Sequence, residues 1–231
     1  MTKFYTRQGD SGSSLMGSKK ISKDNPVFEA LGGLDELNSW LAICRTRISL
    51  VESKRLSKEF KNISDVIYIL GETHNELGGG EYLKILNTAG GNVPKVDIKK
   101  NTETYLLVED LIQKEILSSS ISVSSGGLAI VLAKASLGGM LGCNIDISNL
   151  NKEIKTLEAK LFSESQGRIL VSIPSNKVKT FEKMARNIPH TKLGQVSKNN
   201  KFIITDNKRK IIEINVQSLY SAYHKFSNKM Q

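Results

Sequence analysis

The chain has 231 residues, of which 39% are apolar, and a formal net charge of +10. Lysines and arginines are spread along the whole length without an aromatic-interleaved basic cluster, so nucleic acid is not an expected partner and phosphorylated metabolites suit the positive field better. The apolar runs are short and interrupted and the first residues are polar, so we expect a cytoplasmic protein with no membrane span. Cys44 and Cys143 lie in apolar surroundings, and their spacing fits no metal site, which indicates reduced core residues.

The first elements in chain order are a short β-like run over residues 3–6 and a Gly/Ser/Lys-rich loop over residues 7–23. Asp24, Asn25 and Pro26 are typical of a helix start. From Val27 to Val51 the apolar residues follow heptads, which predicts a long amphipathic helix of a bundle or coiled coil. The pattern then changes within about 48–60, so we predict two parts, residues 1–55 and residues 56–231.

The second part shows strand and helix patterns in alternation. Residues 66–70 form a continuous apolar run, which predicts a buried strand followed by a polar, Gly-rich loop over 71–82. We further predict helices over 103–117, 128–137, 152–162 and 177–188, strands near 144–147, 168–173, 192–197, 201–205 and 210–215, and a terminal helix to Met230. This alternation predicts an α/β (α+β) layer domain, preceded by the N-terminal loop and helix.

The N-terminal loop has the composition of a phosphate-binding loop. Its glycines allow backbone N–H groups to turn toward an anion, and its hydroxyl and basic side chains add donors and charge. A flexible terminal loop is the alternative reading of the same spacing. The candidate ATP-phosphate-binding residues are Thr6, Arg7, Gly9, Asp10, Gly12, Ser13, Ser14, Lys19 and Lys23.

This N-terminal stretch, together with the run Leu34-Asp35-Glu36-Leu37-Asn38-Ser39, resembles the N-terminal part of the PduO-type ATP:cob(I)alamin adenosyltransferases. The resemblance implies that the loop wraps the triphosphate of ATP and that Asp35 and Asn38 face an active site at a subunit boundary. It also implies cobalamin as a second ligand. The family's later helices have no counterpart downstream, so adenosylation of a corrinoid is the alternative function here, and an inactive fused or artificial chain is another.

A second set of candidates lies in the main domain. Ser-Gly-Gly before an apolar helix places free N–H groups at a helix N-terminus, which favours an anion. On spacing alone, the two glycines could equally form a tight strand-to-helix turn. Arg168 could hold a phosphate, or it could form a surface salt bridge with Glu164. The candidate phosphate- or nucleotide-binding residues are Gly78, Gly79, Gly80, Glu81, Ser125, Gly126, Gly127, Glu164, Gly167 and Arg168.

In order along the chain, these motifs resemble the C-terminal domain of phosphoribosylformylglycinamidine synthase. The resemblance implies an AIR-synthase C-terminal type fold, purine biosynthesis, ATP with Mg²⁺, and a homo-oligomer or a partner subunit. Ser122 and Ser125 stand where the family has acidic residues, Gly80 where it has Ser, and Ser163 where it has Gly. Loss of two carboxylates removes groups that could hold Mg²⁺. We therefore expect a domain kept for structure or assembly that is not catalytically complete alone, and we assign neither catalytic residues nor a metal site.

Overall fold

The structure is a computed structural model that describes residues 13–16, 19–22 and 59–227, with side chains from residue 59 to residue 223. The chain divides into two compact units, Met1–Glu52 and Ser53–Gln231. The predicted β-like run over 3–6 and the predicted helix from Val27 lie outside the described residues.

The first unit contains an antiparallel hairpin of β1 (Ser13–Met16) and β2 (Lys19–Ser22), with Ser13 opposite Ser22. The prediction of a plain loop over 7–23 was therefore wrong in this part. Gly17-Ser18 separates the two strands in the sequence, and a Gly-X pair is typical of a two-residue hairpin connection.

The second unit is built on a mixed seven-stranded sheet. Its strands are β3 (Val66–Leu70), β4 (Ser119–Ser122), β5 (Gly142–Asp146), β6 (Ile169–Ile173), β7 (His190–Ser197), β8 (Lys201–Asp206) and β9 (Arg209–Asn215). Their order across the sheet is β4-β6-β3-β7-β5-β8-β9. The β5–β8 pair is parallel, and the other neighbouring pairs are antiparallel.

Helices cover both faces of this sheet. They are α1 (Glu81–Ile85), α2 (Ile98–Gln113), α3 (Gly127–Gly139), α4 (Leu157–Phe162), α5 (Val178–Ala185) and α6 (Val216–Ser227), with a 3₁₀ turn at Ser175–Lys177. Within the described ranges, none of them has the length and apolar character needed to cross a bilayer.

Two apolar clusters hold the helices to the sheet. Ile67 and Ile69 of β3 join the cluster that includes Leu128 and Leu132 of α3. The alternate residues of β3, such as Tyr68, join a second cluster with Leu111 of α2 and Phe181 of α5. Successive side chains of a strand point to opposite faces, so β3 is buried on both sides and its sequence is apolar without interruption. The predicted buried strand and the predicted mixed α/β layers are confirmed.

Cys143 of β5 lies in the first cluster and is fully buried, as predicted for a reduced core thiol. Burial disfavours the thiolate and raises the pKa of Cys143 to about 11. The thiol is therefore neutral at physiological pH and unreactive as a nucleophile. Cys44 lies outside the described residues.

The structure corrects several predicted boundaries. Helix α2 begins at Ile98 rather than near 103, because the Asp97 side chain accepts a hydrogen bond from Lys100 N (3.1 Å) and caps the helix. Helix α4 spans only six residues, whereas a helix was predicted over 152–162. Strand β4 and helix α1 were not predicted; β4 reads Ser-Ser-Ile-Ser, a composition with weak strand signal. Ser119 pairs with Ser172 of β6 through their hydroxyl groups at 2.7 Å.

Candidate functional site

A single carboxylate joins three of the segments that were predicted to bind phosphate. Oε1 of Glu164 accepts a hydrogen bond from Gly126 N at 2.8 Å and another from Glu81 N at 2.9 Å. Gly126 immediately precedes α3, and Glu81 is the first residue of α1. We call this arrangement the Glu164 junction, meaning Gly80, Glu81, Gly126, Gly127 and Glu164.

Close packing of backbone and ring explains why the junction contains glycine. Gly127 has φ +69°, and a Cβ there would lie 2.6 Å from the Ser163 carbonyl oxygen. A side chain at this position would therefore push α3 away from the segment that carries Glu164. On the other side, Tyr82 of α1 stacks on Phe162 of α4 with ring centroids 4.9 Å apart. This stack places the start of α1 beside the Glu164 carboxylate.

In this chain the Glu164 carboxylate is the anionic group at the start of α3. Backbone N–H groups at a helix N-terminus favour a negative charge, as the sequence predicted, and here Glu164 supplies that charge internally. Gly79 and Ser125 flank the junction and are exposed to solvent. Gly78 is buried and its N–H donates to the Asn92 carbonyl at 2.7 Å, which ties this loop to the segment ahead of α2.

Arg168 lies inside the domain, with 1% of its surface exposed, rather than in a surface salt bridge. Its guanidinium donates to the Ser165 carbonyl (3.0 Å), the Thr73 hydroxyl (3.1 Å) and the Ser163 carbonyl (2.5 Å). Burial lowers the pKa of Arg168 to about 10, against the opposing charges of Glu76 and Glu164. The side chain remains cationic at neutral pH and braces the 163–168 segment from within.

Two buried serines connect the same segment to the loop after β3. The Ser163 hydroxyl donates to the His74 carbonyl at 2.6 Å, and it also accepts from Glu76 N at 3.2 Å. The Ser165 hydroxyl accepts from His74 N at 3.0 Å. The Ser163 hydroxyl therefore ties the 163–168 segment to the 71–76 loop.

A polar cleft of about 750 Å³ opens on the far side of that loop. One wall is formed by the loop after β3 and the other by the segment that leads into α2. The residues that line it include Glu72, His74, Glu76, Asp97, Lys100, Asn101, Thr104, Gln166 and Gly167. Lys100 Nζ contacts Glu72 Oε2 at 2.9 Å, and this hydrogen bond raises the pKa of Lys100.

The structure thus separates the main-domain candidates into two groups. Gly80, Glu81, Gly126, Gly127 and Glu164 meet at the junction, whereas Gly167 lines the cleft, where a Cβ would overlap Asn101. Sequence reasoning did not single out Glu76 and Asn101, which line the cleft. Glu76 lies two residues before the candidates Gly78 to Glu81, and this proximity was the available signal, whereas nothing in the sequence marks Asn101.

The remaining candidate residues belong to the N-terminal part of the chain. Ser13, Ser14 and Lys19 lie in the hairpin strands, and their side chains are not described. The candidates outside the described residues are Thr6, Arg7, Gly9, Asp10, Gly12, Lys23, Asp35 and Asn38.

Within the part of the chain that the structure describes, no group of three or more His, Cys, Asp or Glu side chains could hold a metal ion. The described donors therefore do not form a Mg²⁺ site of their own.

Two family models match different, overlapping parts of the chain. Residues 4–81 match the family model described as "Cobalamin adenosyltransferase". Residues 62–207, more than half of the chain, match the model described as "AIR synthase related protein, C-terminal domain". The two matches overlap over residues 62–81.

A curated relative is the "Phosphoribosylformylglycinamidine synthase subunit PurL" of Methanocaldococcus jannaschii, which is 31% identical over 168 residues, or 72% of this chain and 22% of the relative. The chain therefore spans about a fifth of that protein's length. Among solved structures, "T. maritima PurL complexed with FGAR" has a TM-score of 0.64 and 16% identity, covering 71% of this chain and 29% of the other. "T. maritima PurL complexed with ATP" has a TM-score of 0.58 and 18% identity, covering 73% and 28%.

The structural likeness at these identities concerns the fold, and the sequence match supplies the family. A mixed sheet with helices on both faces, the Gly-rich segments joined by Glu164, and the match over residues 62–207 agree with one another. The chain belongs to the family of AIR synthase related proteins, C-terminal domain.

Proposed function

We propose that the main unit is a phosphoribosylformylglycinamidine synthase-like C-terminal domain that serves purine biosynthesis by binding a nucleotide or phosphorylated metabolite. The observation that carries this proposal is the family match over residues 62–207, together with 31% identity to a phosphoribosylformylglycinamidine synthase subunit. Because the chain spans 22% of that relative, we infer that this domain acts together with further domains, such as those of a partner subunit or of other copies, and that it is not catalytically complete alone.

The relatives' ligands suggest what this domain binds. Structures of T. maritima PurL with FGAR and with ATP share its fold, and we carry those two ligands to this chain as its expected class. Since Glu164 already caps the start of α3, a ligand phosphate would lie beside the junction, near the exposed Gly79 and Ser125. The residues that would hold the segments of this site in place are Gly78, Gly80, Glu81, Gly126 and Gly127. Gly167 and Arg168 would stabilise this arrangement.

We propose that Mg²⁺ binds here only as the counter-ion of a bound nucleotide. Mg²⁺ is commonly held by one or two carboxylates together with substrate phosphates, rather than by a cage of protein ligands alone. The described carboxylates do not cluster in threes, and the side chains of Ser122 and Ser125 are hydroxyls. What this chain's residues contribute is the backbone N–H groups and hydroxyls that orient a phosphate.

Thermal unfolding of the full chain with FGAR and with Mg-ATP tests the proposed ligands. A ligand at about 100 times its Kd stabilises the folded state by roughly 2.7 kcal/mol, so we expect Tm to rise by about 5 °C or more. Gly127→Ala should lose the response to FGAR, because it moves the start of α3; an exposed change, Glu103→Ala, should keep it. No shift with either ligand would contradict nucleotide or metabolite binding, and turnover of FGAR by the chain alone would contradict its incompleteness.

A second candidate function concerns the N-terminal segment, where residues 4–81 match the cobalamin adenosyltransferase model. We propose that ATP is held there by the loop containing Thr6, Arg7, Gly9, Asp10, Gly12, Ser13, Ser14, Lys19 and Lys23, with Asp35 and Asn38 facing the ligand. Cobalamin belongs to this alternative only, as the acceptor of the adenosyl group.

The double variant Arg7→Ala with Lys23→Ala separates the two candidates. It removes two positive charges that would face the triphosphate, so we expect ATP binding to weaken by tenfold or more, as measured by isothermal titration calorimetry. If the N-terminal loop holds ATP, Ser125→Ala in the main unit leaves ATP binding unchanged, whereas ATP bound beside the Glu164 junction would be weakened by Ser125→Ala. Equal losses in both variants, or a loss in neither, would remove ATP from the N-terminal loop.

A further inference from the structure

The cleft beside α2 contains two buried polar atoms that have no hydrogen-bond partner among the described residues. They are Oε2 of Glu76 and Nδ2 of Asn101. Glu76 is 6% exposed and Asn101 is 7% exposed, and both side chains line the cleft. A buried polar atom without a partner typically costs about 1–3 kcal/mol, so two of them at one cleft call for a ligand or an ordered solvent molecule.

The contacts around these two atoms determine which hydrogen-bonding groups a ligand would have to supply. Oε1 of Glu76 accepts from Lys95 N at 3.0 Å, which leaves Oε2 as an acceptor in need of a donor. Nδ2 of Asn101 is a donor in need of an acceptor. The charged neighbours are already engaged, since Glu72 pairs with Lys100 and Asp97 caps α2. The Arg168 guanidinium, whose charge acts on Glu76, donates to two backbone carbonyls and the Thr73 hydroxyl.

One unpaired acceptor together with one unpaired donor disfavours the binding of a simple ion. A phosphate would place negative charge against the Glu76 carboxylate, which is destabilising in a partly buried site. A metal cation or an ammonium ion would satisfy Glu76 but would leave the Asn101 N–H facing a positive charge. A neutral group that donates an N–H and accepts at a carbonyl oxygen satisfies both residues, and the primary carboxamide is the simplest group of this kind.

We propose that this cleft binds a small, neutral molecule through a carboxamide-type group that donates to Glu76 and accepts from Asn101. The volume of about 750 Å³ falls in the range of small-molecule sites and greatly exceeds that of one or two water molecules. The Glu72–Lys100 ion pair joins the two walls of the cleft. The site adjoins the Glu164 junction, since Glu164 N donates to the Glu76 carbonyl at 3.3 Å, and it does not depend on the proposed function.

Acetamide and acetate are matched probes for this site, since they have the same shape but only acetamide has N–H donors. Resonances of the full ¹⁵N-labelled chain are followed in ¹H–¹⁵N spectra during titration with each probe. Four heavy atoms can supply at best about 6 kcal/mol, and usually much less, so the titration should extend to about 100 mM. We expect acetamide, and not acetate, to shift amides of the 71–76 loop, the start of α2 and Gly167.

Glu76→Gln is the decisive variant because it keeps the shape of the side chain. Lys95 N holds the amide oxygen at the Oε1 position, so an NH₂ group replaces Oε2 and opposes the ligand's N–H. We expect at least a tenfold weaker Kd for acetamide, the same direction for Asn101→Leu, and no change for the exposed Glu103→Gln. Equal shifts by acetate, unchanged affinity in Glu76→Gln, or no shift with acetamide would overturn the proposal and leave internal water as the partner of both atoms.

Discussion

Replacing Arg168 by Met is expected to lower the free energy of unfolding of this protein by about 3–5 kcal/mol, because it leaves three buried acceptors without their donor at a typical cost of about 1–3 kcal/mol each. Arg168 is 1% exposed and donates to two backbone carbonyls and one hydroxyl. Its removal leaves those acceptors unpaired and leaves Glu76 and Glu164 without the positive charge they face. Urea unfolding of the full chain, followed by far-ultraviolet circular dichroism, measures the loss.

Two further variants show whether charge or geometry matters at this position. Arg168→Lys keeps the charge, but a single ammonium cannot reproduce the planar fork that reaches three acceptors, so we expect an intermediate loss. Arg186→Met changes an exposed arginine and should alter stability by less than about 0.5 kcal/mol. A loss below about 1 kcal/mol in Arg168→Met would show that the buried guanidinium does not brace the 163–168 segment.

Replacing Glu164 by Ala is expected to cost about 3 kcal/mol of unfolding free energy, the second largest effect we predict. The change removes the acceptor of Gly126 N and Glu81 N, and each hydrogen bond to a charged group typically contributes about 1.5–3 kcal/mol. Glu164→Gln retains an oxygen acceptor without the charge, so it should lose roughly half as much. Glu103→Ala, at an exposed position of α2, is the matched control.

A small anion should partly replace the missing carboxylate in Glu164→Ala. The variant leaves free N–H groups at the start of α3 and a cavity of carboxylate size, which is a favourable place for formate or acetate. We expect either anion to raise Tm more in the variant than in the unchanged chain. An equal response in both proteins would show that Glu164 does not act as the internal anion of this helix N-terminus.

Regular hydrophobic patterns allowed correct prediction of much of the second unit. The uninterrupted run Val66–Leu70 predicted a strand buried on both faces, and β6 through β9 lie close to their predicted ranges. Local signals failed where tertiary contacts decide the conformation. Strand β4 consists mostly of serine and is a strand because β6 offers it a partner. Helix α1 has no buried residue along its five positions, so no apolar period marked it.

The sequence alone established the family, the mixed α/β class and the Gly-rich segments, because these depend on motif order and on periodicity along one stretch of chain. Only the tertiary structure decided what those segments hold. Glu164, Gly126 and Glu81 are far apart in the chain, and three-dimensional contact places the Glu164 carboxylate against the helix N-terminus at Gly126. Burial of Arg168 and the unpaired atoms of Glu76 and Asn101 likewise depend on which segments pack together, since no local pattern marks these polar side chains as buried.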